Sequence, residues 1–185
     1  MPIITVIEIF RLIVMTVALG YIFSSFAKQK TIDSYLNPIS VWDDLKFSML
    51  ITAPGIVLHE LGHKFVAILF GLKAEFFTSY IGLGLGVLLK LVNSPLLVFV
   101  PGYVQVSTST PLQSALIAFS GPLVNLILWQ LGAYMLKNKK KMKRKEMMGW
   151  YLMKKINMIL FLFNMIPFPP FDGFQVFSGL YRYLF

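Results

Sequence analysis

Histidines at positions 59 and 63, with a glutamate at position 60, lie inside IVLHELGHKFV, residues 56–66, a run that is otherwise largely apolar. On a helix, residues four apart share a face, so the ring nitrogens of His59 and His63 can converge on one ion. Glu60 stands about 100° round from His59 and can reach a water beside that ion without taking a ligand position. A hydrolytic zinc site holds three protein ligands and one open position, and it lowers the pKa of its water to about 7. Glu60 is then placed to act as general base and to pass the proton to a leaving amine. A bare His-x-x-x-His also occurs as core or surface filler. That alternative weakens inside an apolar segment, where unpaired ionisable groups are costly, and these are the only two histidines of the chain.

Two histidines leave such a site one ligand short. Cysteine is absent, so thiolate ligation and disulfides are excluded and the third ligand must be a carboxylate. Glu8, Glu75, Glu146 and Asp172 are the acids near apolar segments, and Asp172 is the best placed of them. It follows a proline break at the end of an apolar run, whereas Glu75 and Glu146 belong to polar stretches. Local sequence leaves a second reading of Asp172 open, as the N-cap of a helix beginning at Gly173.

The elements that must position these residues belong to a membrane. The 185 residues are 57% hydrophobic and 14% charged, a balance outside that of ordinary soluble domains. Four segments are long and apolar enough to cross a bilayer: 3–23, 48–72, 112–136 and 150–171. The first lacks the preceding cation that a signal peptide carries and is expected to be retained. Glu8 and Arg11 share a helical face near its start, where they can pair or reach the interface. Pro54-Gly55 precedes His59 by about one turn, and the proline is expected to kink the second segment.

Between the second and third segments, residues 73–80 and 102–109 are short and rich in aromatic or β-branched residues, as strands are. Residues 81–100 between them are divided by glycines and by Asn93-Ser94-Pro95, which predicts a re-entrant element, with a full spanning helix as the alternative. Pro167, Pro169 and Pro170 must end regular helix before Asp172. Residues 173–185 place Phe174, Phe177, Leu180, Tyr181 and Leu184 on one face, the pattern of a short interfacial helix. The expected fold is mainly α: one membrane-embedded domain over 1–185, a polytopic bundle of roughly four to five transmembrane helices with a small strand and re-entrant element after the second.

The net charge of +9 is concentrated, since nine of the 17 lysines and arginines fall between Lys137 and Lys155. That stretch is expected to be a basic loop touching anionic lipid headgroups. It lacks interleaved aromatics before Trp150 and lies between apolar segments, which speaks against nucleic acid as a partner.

Three motifs, HELGH at 59–63, GPLVN at 121–125 and NMIPFPPFDG at 164–173, together resemble the site-2 protease family of intramembrane metalloproteases (peptidase M50). The likeness is closest to its short archaeal and bacterial members and runs in register from about Ile51 to Leu180. The resemblance implies one zinc ion held by His59, His63 and Asp172, with Glu60 as general base. It also implies that Asn125 and Asn164 line the site, where an amide could bind the substrate backbone or the oxyanion; the plainer reading of each is polar glue between helices. Gly62 and Gly121 read as close-packing positions. The sequence has Phe171 where the family often has Leu, and no PDZ-like or CBS-like domain is expected. The implied activity is hydrolysis of peptide bonds in or near transmembrane segments of membrane-protein substrates, in a multi-pass protein of the cell membrane. One of the two strands would hold the unwound substrate by β-addition. A non-catalytic metal-binding membrane protein, a transporter or a substrate-binding scaffold, is the rival reading.

Overall fold

The computed structural model describes residues 3–27, 41–94 and 100–185. Six helices and two short strands are found among them: α1 (Val6–Ala27), α2 (Val41–Leu69), β1 (Ala74–Thr78), α3 (Tyr80–Leu91), β2 (Gly102–Val106), α4 (Pro111–Asn138), α5 (Arg144–Asn164) and α6 (Asp172–Leu184). The chain forms two compact units, one within residues 55–76 and 104–185 and the other within residues 4–54 and 77–103. The division falls at Pro54-Gly55, inside α2, where the proline removes a backbone donor.

In the second unit, α1 opens with the reciprocal bonds of a capping box. The Thr5 N–H donates to Glu8 Oε2 at 2.8 Å and the Glu8 N–H to Thr5 Oγ1 at 3.3 Å, so the buried acid satisfies a helix end. Arg11, on the same helix, lies 4.3 Å from the centre of the Phe77 ring. Helix α1 buries Met15, Leu19 and Ile22 on one side and exposes apolar residues on the other. Val6, Ile7, Phe10 and Ile13 are each more than half exposed, the arrangement expected of a helix whose solvent is hydrocarbon.

Helix α3 bears on the division of 81–100. Ser79 caps it by accepting from the Gly82 N–H at 3.1 Å, and it stops at Val92–Asn93, where Asn93 takes a left-handed φ of 52°. Its 12 residues span about 18 Å, too short for a hydrocarbon core of about 30 Å. The described residues of 81–100 thus do not form one continuous helix; the expected second limb of the re-entrant element falls largely on 95–99, outside the described residues. Lys90 anchors the end of α3 to α1, donating to the Tyr21 carbonyl and, at 2.6 Å, to Ser24 Oγ.

Strands β1 and β2 pair antiparallel. The Ser79 N–H donates to the Pro101 carbonyl and the Ser107 N–H to that of Lys73, which brackets the ladder at both ends.

The first unit is built on α4, which packs against α5 and α6. TPLQ at 110–113 starts it with a capping box between Thr110 and Gln113 and a proline at the first helical position, a cap worth about 1 kcal/mol. The face it buries is lined by small residues, including Ala115, Ala118, Gly121 and Gly132. A Cβ on Gly132 would stand 2.9 Å from Lys154 Cβ, and one on Gly179 of α6 would stand 2.7 Å from the Pro111 carbonyl oxygen. Small residues thus let three backbones approach closely, which is how helices associate where no hydrophobic effect drives them together.

The basic segment is not a loop throughout. Helix α5 begins at Arg144, so only residues 139–143 connect it to α4. Lysine, arginine and methionine are good helix formers, and the run from 144 onward offers no breaker before Gly149. Exposed Lys139 pairs with Glu146 across this turn.

Among the described residues, two helices, over Val6–Ser24 and Pro111–Asn138, are long and apolar enough to cross a membrane. Helices α2 and α5, at 29 and 21 residues, have the length, but both carry charged residues.

Candidate metal centre

His59 and His63 lie one turn apart on α2, below its proline, and both are buried. Their rings meet edge to face at 88°, and the two Nε2 atoms are 3.1 Å apart. What holds each ring is on α4. His63 Nδ1 lies 2.7 Å from the Ile117 carbonyl oxygen, which can only accept, so this nitrogen carries the proton. His59 Nδ1 lies 2.7 Å from Asn125 Oδ1. The orientation of that amide follows from its other end, since Asn125 Nδ2 donates to the Gly55 carbonyl at 2.8 Å and to Asn157 Oδ1 at 3.0 Å. His59 Nδ1 is therefore also a donor, and with both imidazoles neutral each Nε2 presents a bare lone pair.

Asp172 supplies the third atom from a different helix. Its Oδ2 is 3.1 Å from His59 Nε2 and 3.4 Å from His63 Nε2, is buried, and has no hydrogen-bond partner. Asp172 makes no capping bond, and Phe171 holds the N-cap position, so the N-cap reading of this aspartate is set aside. The backbone that aims it is the turn after α5. A Cβ on Gly173 would stand 2.7 Å from the Ile166 carbonyl oxygen, so only glycine allows that turn to close over the start of α6.

With both imidazoles neutral and the carboxylate ionised, three electron-rich atoms face one another, an arrangement that repels itself unless a cation fills the centre. Their separations of 3.1, 3.1 and 3.4 Å compare with about 3.3 Å between ligand atoms of a tetrahedral site with zinc bonds near 2.0–2.1 Å. The residues present fit a zinc ion, and two imidazoles with one carboxylate leave a fourth position open.

Gly121 makes the room. A Cβ there would stand 2.7 Å from His59 Nε2 and closer still to His63 Nε2. The close approach expected at this glycine is made to the histidine rings: its missing side chain keeps α4 clear of the metal-facing nitrogens. Gly62 does serve packing, with a Cβ there falling 3.0 Å from the Ser120 carbonyl oxygen. Glu60 is 7% exposed, lies within electrostatic reach of His59, His63 and Asp172, and is tied by no hydrogen bond among the described residues. A buried carboxyl with no fixed partner, within reach of the three metal-facing residues, is free to exchange a proton.

The two asparagines part company. Asn125 is fully buried with its oxygen and both amide hydrogens engaged, so it has no donor to offer an oxyanion and instead orients His59. Asn164 closes α5 half-buried, and no hydrogen bond joins it to the metal-facing side chains. The asparagine of α5 that does enter the network is Asn157, fully buried, whose Nδ2 donates to the Met153 carbonyl at 2.8 Å. Sequence reasoning passed over it, although it lies two helical turns before Asn164 on the same face, a spacing that could have drawn attention to it.

The sequence model of peptidase family M50 matches residues 47–139. A protein of Methanocaldococcus jannaschii named "Putative zinc metalloprotease" is 35% identical over 133 residues, 70% of this chain and 68% of that protein. A protein of the same name from Synechocystis is 30% identical over 131 residues, which cover 71% of this chain and 30% of the longer relative. No solved structure matches the chain.

Proposed function

The chain belongs to peptidase family M50, the site-2 protease family, and is a metalloprotease; on that premise we propose that it is an intramembrane zinc protease cutting membrane-protein substrates in or near their transmembrane segments. The observation that carries this reading is the convergence of His59, His63 and Asp172 beside buried Glu60, in helices whose outer faces are apolar. One zinc ion held by those three residues would supply Lewis acidity at the scissile carbonyl when bound. A carboxyl oxygen of Glu60 takes a proton from the attacking water as the water oxygen bonds to the carbonyl carbon and the carbonyl π pair moves onto its oxygen. The same oxygen returns the proton to the amide nitrogen as the carbon–nitrogen bond breaks. Asn125 and the Ile117 carbonyl keep both imidazole Nε2 atoms turned to the centre throughout.

In this reading α1, α2, α4 and α5 cross the membrane, within the expected four to five crossings, and the protein is a multi-pass protein of the cell membrane. The burial of an acid and two histidines within α2 is then functional rather than wasteful. A helical substrate hides its carbonyls in hydrogen bonds and must unwind to be cut. β1 and β2 form a two-stranded sheet, so each has an edge that could hold an unwound segment by β-addition. Lys139–Lys141, Lys143 and Arg144 are exposed between α4 and the start of α5, where anionic headgroups would meet them.

The test is proteolysis in liposomes of a single-pass substrate, with the products mapped by mass spectrometry. A cut within or beside the spanning segment supports the proposal. Cleavage confined to soluble loops far from the segment, or efficient cleavage of soluble casein, would overturn it.

A further inference from the structure

Hydrogen bonds between α5, α4 and α2 run in a single direction. The Met153 carbonyl can only accept, so Asn157 presents its Nδ2 to it and its Oδ1 to Asn125. Asn125 in turn must present its Nδ2 to Asn157 and Gly55, and its Oδ1 to His59. We propose that Asn157 is a positioning residue of the metal site: acting through Asn125, it keeps His59 in the tautomer that carries its proton on Nδ1 and offers Nε2 to the metal.

Reversal of the Asn125 amide is opposed by its neighbours. With Asn157 in place, reversing the Asn125 amide sets its oxygen against two acceptors, Asn157 Oδ1 and the Gly55 carbonyl, in a site from which water is excluded. Without Asn157, one of those penalties disappears, and in the unflipped state one buried N–H loses its acceptor. Both changes favour the reversed amide, which would point an N–H at His59 Nδ1 and move the ring proton onto Nε2, the atom that faces the ion. Gly55 belongs to the same device. Its missing side chain is what admits Asn157, because a Cβ there would stand 2.8 Å from Asn157 Oδ1. His63 is held by a backbone carbonyl and does not depend on this relay.

The chain has only two histidines, so 15N-histidine labelling gives four ring signals and reads each tautomer directly in the metal-free protein at alkaline pH. The expected result in the full-length wild type is a protonated Nδ1 and a bare Nε2 on both rings. Asn157→Leu should move His59, and not His63, toward the opposite tautomer, and should weaken zinc binding roughly tenfold or more in competition with a chromophoric chelator. Asn157→Asp keeps the acceptor that faces Asn125 and should restore the His59 pattern. Gly55→Ala displaces Asn157 from the other helix and should reproduce the leucine variant, which keeps the test open if that variant does not fold. Unchanged His59 signals in Asn157→Leu and Gly55→Ala, or equal changes on both histidines, would overturn the proposal. Its bearing on cleavage rests on the protease reading, but the ring signals need neither metal nor substrate, so the two can fail separately.

Discussion

The Nδ1 atom of His59 and the Oδ1 atom of Asn125 lie 2.7 Å apart although 66 residues separate them in the chain. This bond joins the HELGH helix to the GPLVN helix and decides which imidazole nitrogen is left for a metal. It makes the asparagine of the second motif part of the support of the first. Asn125→Ala removes it, and the expected loss of zinc affinity is about 10–100-fold, the range for partners of metal-bound histidines. Titration of purified protein with zinc against a competing chelator measures it, and helical content by circular dichroism should change little.

Gly121→Ala should be more damaging than its size suggests. The added methyl would stand 2.7 Å from His59 Nε2, where no carbon atom fits, so both rings must turn away from the centre. Zinc binding is expected to be lost. Gly132→Ala on the same helix meets Lys154 Cβ at 2.9 Å and should lower the melting temperature while leaving zinc in place. The pair separates room for the ion from room for a neighbouring helix.

Asp172→Asn keeps the shape of the third ligand and removes its charge. Two neutral imidazoles and an amide hold zinc poorly, since carboxylate and imidazole are the ligands the ion prefers. Bound zinc per protein after gel filtration is expected to fall from about one to well below one half, and cleavage should fall with it.

Metal removal should silence the enzyme reversibly. A strong chelator is expected to abolish cleavage and stoichiometric zinc to restore it. With no cysteine in the chain, reducing agents free of chelating power should leave activity unchanged. Loss of activity on such reduction would point to a different chemistry.

How much of this was legible in the sequence depended on range. The His59–His63 pair is a matter of four residues on one helix, and its spacing fixes its geometry before any fold is known. The proline run before Asp172 marked a place where a carboxylate could leave a helix. That it turns toward α2 rather than capping its own helix depends on Gly173 and the Ile166 carbonyl, which meet only in three dimensions. The same limit explains Asn125. A polar residue in an apolar helix could equally face substrate or a neighbour, and only its three partners show that no donor remains for an oxyanion. Asn157 carried a weaker signal still, a spacing to Asn164 outside the metal-binding motif. The start of α5 was misplaced because a dense run of lysines reads as solvated loop when charge is weighed above helix propensity.

In the proposed mechanism Glu60 moves the proton at a zinc site formed by His59, His63 and Asp172. Glu60→Gln tests it most directly, with bound zinc and cleavage of a liposome-embedded single-pass substrate measured on the same preparation. The account expects zinc content equal to wild type and cleavage lowered by at least about 10²-fold, the scale of general acid–base catalysis. Cleavage at the wild-type rate with zinc retained would contradict it.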